Sequence, residues 1–145
     1  MKRLLFDVNV VLDVLLDRPP FADASSAAWA AVENAEAEGL LSAHAVTTLH
    51  DLNGRAVGSR QAMETTEALL SVFEIAAIDE TVLRSAAGLG LKDYEDAVLA
   101  AAARRAKCDA IVNSPSSKRL IVAGPGTGKS FTFRRALSAR GGAGL

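Results

Sequence analysis

The chain predicts an α/β fold, a three-layer sandwich of helices around a short, mostly parallel sheet. Three observations lead there. Short apolar runs at 4–6, 40–43, 72–75 and 108–113 have the length of buried strands. Longer stretches of helical character, several rich in alanine, lie between them. The first run ends on an acid, Asp7, as a parallel strand does when its tip reaches a ligand crevice.

After the strand at 4–6, residues 10–16 are apolar and helical, and Arg18-Pro19-Pro20 stops them. Asp23 precedes an alanine-rich helix that carries Trp29 on its buried face. Gly39 is expected to close that helix at its C′ position. A second strand at 40–43 leads to a helix at 44–52 with Val46, Leu49 and Leu52 inward. Asn53-Gly54 and Gly58-Ser59 interrupt the next stretch. A helix at 61–70 offers Met63, Leu69 and Leu70 for burial, and 72–75 forms a third, edge-like strand. Asp79 caps the next helix, which turns Val82, Leu83, Ala86 and Ala87 inward and ends at Gly88 and Gly90. Asp93 opens an alanine-rich helix, and the strand at 108–113 closes the body.

Composition narrows the function classes. In 145 residues one domain is expected, and half the residues are apolar. The single cysteine, Cys108, forms no internal disulfide, which fits a reducing cytoplasm. No apolar run is long enough for a membrane span, and Asp7 interrupts what would be a signal-peptide core. The net charge of −1 conceals a division. Residues 1–113 carry all 17 acids and ten Lys and Arg, a net −7. Residues 114–145 carry six Lys and Arg and no acid. A shift that sharp divides the chain into a body, 1–113, and a tail, 114–145. The acidic body lacks the cation clusters on which polyanion affinity rests.

Two acidic sites carry the chemistry. Asp7 and Asn9, two residues apart, offer oxygen donors that suit Mg²⁺ or Mn²⁺. The alternative for Asp7 is a cap on the following helix. Asp93 and Asp96, three residues apart at a helix start, can face one side. Carboxylates that close repel unless a cation lies between them. Their alternative is a helix start that uses acids to satisfy its dipole.

The run Leu-Leu-Phe-Asp-Val-Asn-Val-Val-Leu-Asp at 4–13, Asp-Tyr-Glu-Asp-Ala at 93–97 and Asp-Ala-Ile-Val-Asn at 109–113 together resemble PIN domains. The likeness is closest to the VapC-like branch of toxin ribonucleases and covers residues 1–113. It implies metal-binding and catalytic roles for Asp7, Asp93 and Asp96, with Asn9 supporting Asp7. It also implies an RNA substrate, a cognate antitoxin partner and a homodimer. Thr48 stands where the family pattern places a Glu, with Asp51 one turn further on. Asn113 replaces the usual Thr, and Lys118-Arg119 stand where an Asp-Phe pair would supply another acid. The competing expectation is a PIN-like binding module with a weakened metal set.

The tail reads differently. Ser114 to Ser117 is a linker by composition, and 120–122 is a strand that could extend the sheet. Gly124, Gly126, Gly128, Lys129 and Ser130 come in the order of a P-loop, with 131–137 as its helix. The wording resembles the opening of UvrD/Rep-type helicases. That likeness implies ATP binding by a truncated or fused segment, with hydrolysis not expected because no Walker-B strand comes after it.

Overall fold

The computed structural model describes residues 1–113 and the backbone of residues 131–132. Four strands, β1 (Arg3–Phe6), β2 (Glu38–Ser42), β3 (Glu74–Ala76) and β4 (Ala110–Asn113), join the two-residue β5 (Phe131–Thr132) in one parallel sheet. Their order across the sheet is β3-β2-β1-β4-β5. The chain moves from β1 outward to β2 and β3, then returns to the other side of β1. The carboxyl ends of β1 and β4 therefore flank the topological switch point, where open α/β sheets bind ligands.

Side-chain alternation explains the three layers. Leu4, Phe6, Leu41, Ala110 and Val112 face one side, and Leu5, Leu40 and Ile111 the other. The first side is covered by α1 (Val8–Leu15), α2 (Ala22–Glu33), α3 (Ala43–Val57) and α4 (Ser59–Val72). The second is covered by α5 (Glu80–Ala87) and α6 (Tyr94–Arg105), whose alanines let the helix lie close on the sheet. The predicted sandwich is the observed one. Among the described residues every strand pairing is parallel.

Several local expectations are corrected. Gly39 does not end α2, which stops at Glu33; it lies inside β2. A Cβ there would meet Val32 at 2.7 Å and Phe73 at 2.9 Å, so close strand–helix packing, not helix termination, requires a glycine. Asp23 lies within the first turn of α2 and not ahead of it. Asn53 and Gly54 do not interrupt α3, because Asn53 is buried within it; the break comes at Gly58, whose φ of 90° is a left-handed conformation. Leu69 is buried as expected, but Met63 and Leu70 are each 50 % exposed, because α4 is covered on one side only. Leu83 and Ala87 likewise face outward on α5, leaving Val82 and Ala86 in the core. Phe131 and Thr132 are strand, not the start of a helix. The predicted strand at 120–122 lies outside the described residues.

At the amino edge of the sheet, Arg3 ties the layers together. Its guanidinium bonds Glu38, Glu74 and the Ala106 carbonyl, while its backbone N–H donates to Asp109. Among the described residues the carboxyl edge shows no comparable cluster of ion pairs.

Candidate functional site

Asp7 directly succeeds β1. Its N–H donates to the Val112 carbonyl at 3.0 Å, which fixes it beside the end of β4. The side chain is 8 % exposed. Asp7 occupies the N-cap position of α1, yet its carboxylate accepts no cap hydrogen bond. The cap alternative is therefore not realised. Asn9 Nδ2 approaches Asp7 Oδ2 at 3.5 Å. Behind them Asp13, fully buried, is paired with Arg18 at 2.8 Å and accepts from Ser25 Oγ at 2.8 Å. Arg18 also donates to the Asn9 carbonyl at 3.0 Å, so it braces the Asp7–Asn9 turn from below.

Ser42 ends β2 and Asn113 ends β4. Phe6, Leu41 and Val112 face the α1–α4 layer. The next residues, Asp7, Ser42 and Asn113, therefore point to the α5–α6 side. They form a row, Ser42–Asp7–Asn113, across three adjacent strand ends. Ser42 is also an N-cap residue, of α3, and it too makes no cap bond. Its Oγ and both amide atoms of Asn113 are buried with no hydrogen-bond partner among the described residues.

The second acidic pair arrives from α6. This helix runs back against the strands, since four residues join its end at Arg105 to the start of β4. Twelve helical residues span about 18 Å, against about 13 Å for a four-residue strand. The first turn of α6 thus reaches the carboxyl edge. Ala97, Ala100 and Ala103 pack on the sheet, and Asp93 and Asp96 continue that stripe toward the row. The Asp93 carboxylate accepts from the Asp96 N–H at 3.2 Å, so here the cap alternative is realised. Glu95 stands 3.8 Å from His44 Nε2 in the first turn of α3.

Asp7, Asp93 and Asp96 thus share one edge, but they are not a finished cup. Among the described residues no group of three or more His, Cys, Asp or Glu is gathered to hold a metal ion. The physical reason is plain: Asp93 serves its own helix, and carboxylates repel without a cation between them. Thr48 directs its hydroxyl to the His44 carbonyl of its own helix at 3.2 Å. Asp51 is exposed and pairs with Arg55 at 2.9 Å, so it lies outside the row. Gly124, Gly126, Gly128, Lys129 and Ser130 lie outside the described residues. Sequence reading missed Ser42 and His44; the hydroxyl at a strand's last position, beside an Asp at the equivalent position of β1, was the available signal.

The PIN domain family matches residues 3–114, which excludes the P-loop-like run. No curated protein matches the chain. Among solved structures, the chain is similar in fold to one in the crystal structure of VapBC2 from Rickettsia felis bound to a DNA fragment from their promoter. The TM-score is 0.55 at 13 % identity, covering 76 % of this chain and 85 % of that one. With a family match over most of its length, the chain belongs to the PIN domain family.

Proposed function

We propose that the protein is a metal-dependent endoribonuclease of the PIN type, the toxin of a toxin–antitoxin pair. The observation that carries this is Asp7, held at the switch point by its N–H bond to Val112, with a carboxylate that makes no cap bond to the helix it precedes. Asp93 and Asp96 approach the same edge from α6. The donor set is oxygen-only, which fits Mg²⁺ or Mn²⁺. Asp7, Asp93 and Asp96 would hold the ion. When bound, such an ion supplies an activated water and charge stabilisation for phosphodiester hydrolysis. The chain's own part is positional: Asn9 and Arg18 restrain the Asp7 turn, and Arg3 locks the far edge.

The likeness to VapBC2 supports a cognate antitoxin as partner, and the family resemblance alone implies a homodimer. Among the described residues no helix is long and apolar enough to cross a membrane. A second reading, a PIN-like binding module with impaired catalysis, is favoured by one observation. Thr48, in place of the family's Glu, spends its hydroxyl on its own helix.

The test is cleavage of RNA with Mg²⁺ or Mn²⁺ by wild type, Asp7→Asn and Asp96→Asn. Metal-dependent cleavage lost in both variants is the expected result. Cleavage that survives both substitutions refutes the site. A wild type that binds its antitoxin but cleaves no RNA establishes the second reading.

A further inference from the structure

The row at the carboxyl edge contains two neutral side chains that no fold requirement explains. Ser42 is fully buried and Asn113 is 4 % exposed. A serine at a helix N-cap ordinarily accepts from its own helix. Ser42 does not, and its Oγ has no partner among the described residues. Asn113 leaves both Oδ1 and Nδ2 unpartnered. Buried polar groups without partners cost free energy and normally have water or a ligand to satisfy them. Three such atoms bracket a carboxylate, on strands β2 and β4 either side of β1.

The spacing says what they would bind. Adjacent strands lie about 4.8 Å apart, so Ser42 and Asn113 stand roughly that far to each side of Asp7. A magnesium-type ion on Asp7 has ligand oxygens at about 2.1 Å, and the hydrogen-bond partners of its waters about 5 Å away. One strand to each side of a carboxylate, two buried neutral groups without partners are placed to bond the waters of an ion held there. The surroundings favour a cation: Asp7, Asp93, Glu95 and Asp96 approach this edge, while Arg18 is committed to Asp13 and the Asn9 carbonyl.

We infer that Ser42 and Asn113 hold the water ligands of a hydrated divalent ion seated on Asp7, in place of the acid missing at Thr48. Ser42 Oγ and Asn113 Oδ1 accept from two metal-bound waters on opposite sides of the carboxylate. The site is thereby tuned for an ion that keeps much of its hydration, as Mg²⁺ does. This inference rests on the ion of the proposed function and specifies how it is held.

The test is Mn²⁺ binding to the full chain, read by the electron paramagnetic resonance of free Mn²⁺, together with melting temperature with and without Mg²⁺. Ser42→Ala and Asn113→Ala are each expected to weaken Mn²⁺ by about tenfold, the scale for partners of metal-bound groups. Asn113→Thr, which keeps an acceptor, is expected to stay within about threefold of wild type. Without metal, Ser42→Ala melts no lower than wild type, because it removes an unsatisfied hydroxyl, yet it gains less from Mg²⁺.

Unchanged Mn²⁺ affinity in both alanine variants, with binding lost in Asp7→Asn, overturns this inference and leaves the nuclease reading standing. A metal-free Ser42→Ala that melts lower shows a merely structural hydroxyl and also overturns it. Binding unchanged in Asp7→Asn, or absent in wild type, removes the ion from this edge and overturns both readings. Intact binding with no RNA cleavage overturns the nuclease reading alone.

Discussion

Asp93 does two things that substitution can separate. Its carboxylate caps α6 by accepting from the Asp96 N–H at 3.2 Å, and it brings a negative charge to the carboxyl edge. Asparagine caps a helix as well as aspartate does, whereas alanine does not cap, at a cost of about 1 kcal/mol. For a domain of this size that is a fall of about 4 °C in melting temperature. Asp93→Asn loses an interaction with the helix dipole of about 0.3–1 kcal/mol but also relieves repulsion from Asp96. Its net change is therefore near zero. Urea and thermal unfolding monitored by circular dichroism measure the stability, and Mg²⁺-dependent RNA cleavage measures the site. The expected pattern is a folded, stable but inactive Asp93→Asn and an inactive Asp93→Ala that melts lower. Full cleavage by Asp93→Asn would reduce Asp93 to a helix cap. Equal stability of the two variants would mean that the 3.2 Å bond contributes nothing.

Gly39→Ala forces a methyl within 2.9 Å of Val32 and Phe73, an overpacking that costs about 1–3 kcal/mol. Adding Val32→Ala is expected to recover part of that loss, and strictly additive unfolding energies would refute the contact. Thr48→Glu restores the acid of the family pattern, and Mn²⁺ titration is expected to show tighter binding, by roughly fivefold or more. Unchanged affinity means that the Thr48 position of α3 does not face the ion. Burial pushes the Cys108 thiol up to about 11, so a thiol reagent should label the native protein far more slowly than the unfolded chain. The raised value fixes the sign of a pH effect. Stability from the neutral thiol is complete below its unfolded value near 9 and fades toward 11, a fade that Cys108→Ala abolishes.

Legibility in the sequence tracked the burial pattern. The strands at 4–6 and 110–113 were visible because both faces of a central parallel strand are covered, which makes the run continuously apolar. Asp7, Asp93 and Asp96 were visible because an acid after an apolar run, or in a helix's first turn, leaves a local mark. The role of Gly39 was not visible. Its reason is the approach of Val32 and Phe73, one from the preceding helix and one from 34 residues later in the chain. Met63 and Leu70 misled for a related cause: spacing assigns a helix an apolar face but does not say whether the fold covers it. Ser42 escaped because it lay inside the run read as the strand at 40–43, and only the structure shows its hydroxyl buried with no cap bond made.

The crossover from β3 to β4 has a consequence for how such a protein is made. Because β4 inserts beside β1, in the interior of the sheet, the carboxyl edge that carries Asp7 and Asn113 is completed only after β4 arrives. A chain emerging from the ribosome exposes Asp7 long before it has the opposite wall. Any chemistry of the proposed site is thereby deferred until nearly the whole body has been translated, a delay written into strand order.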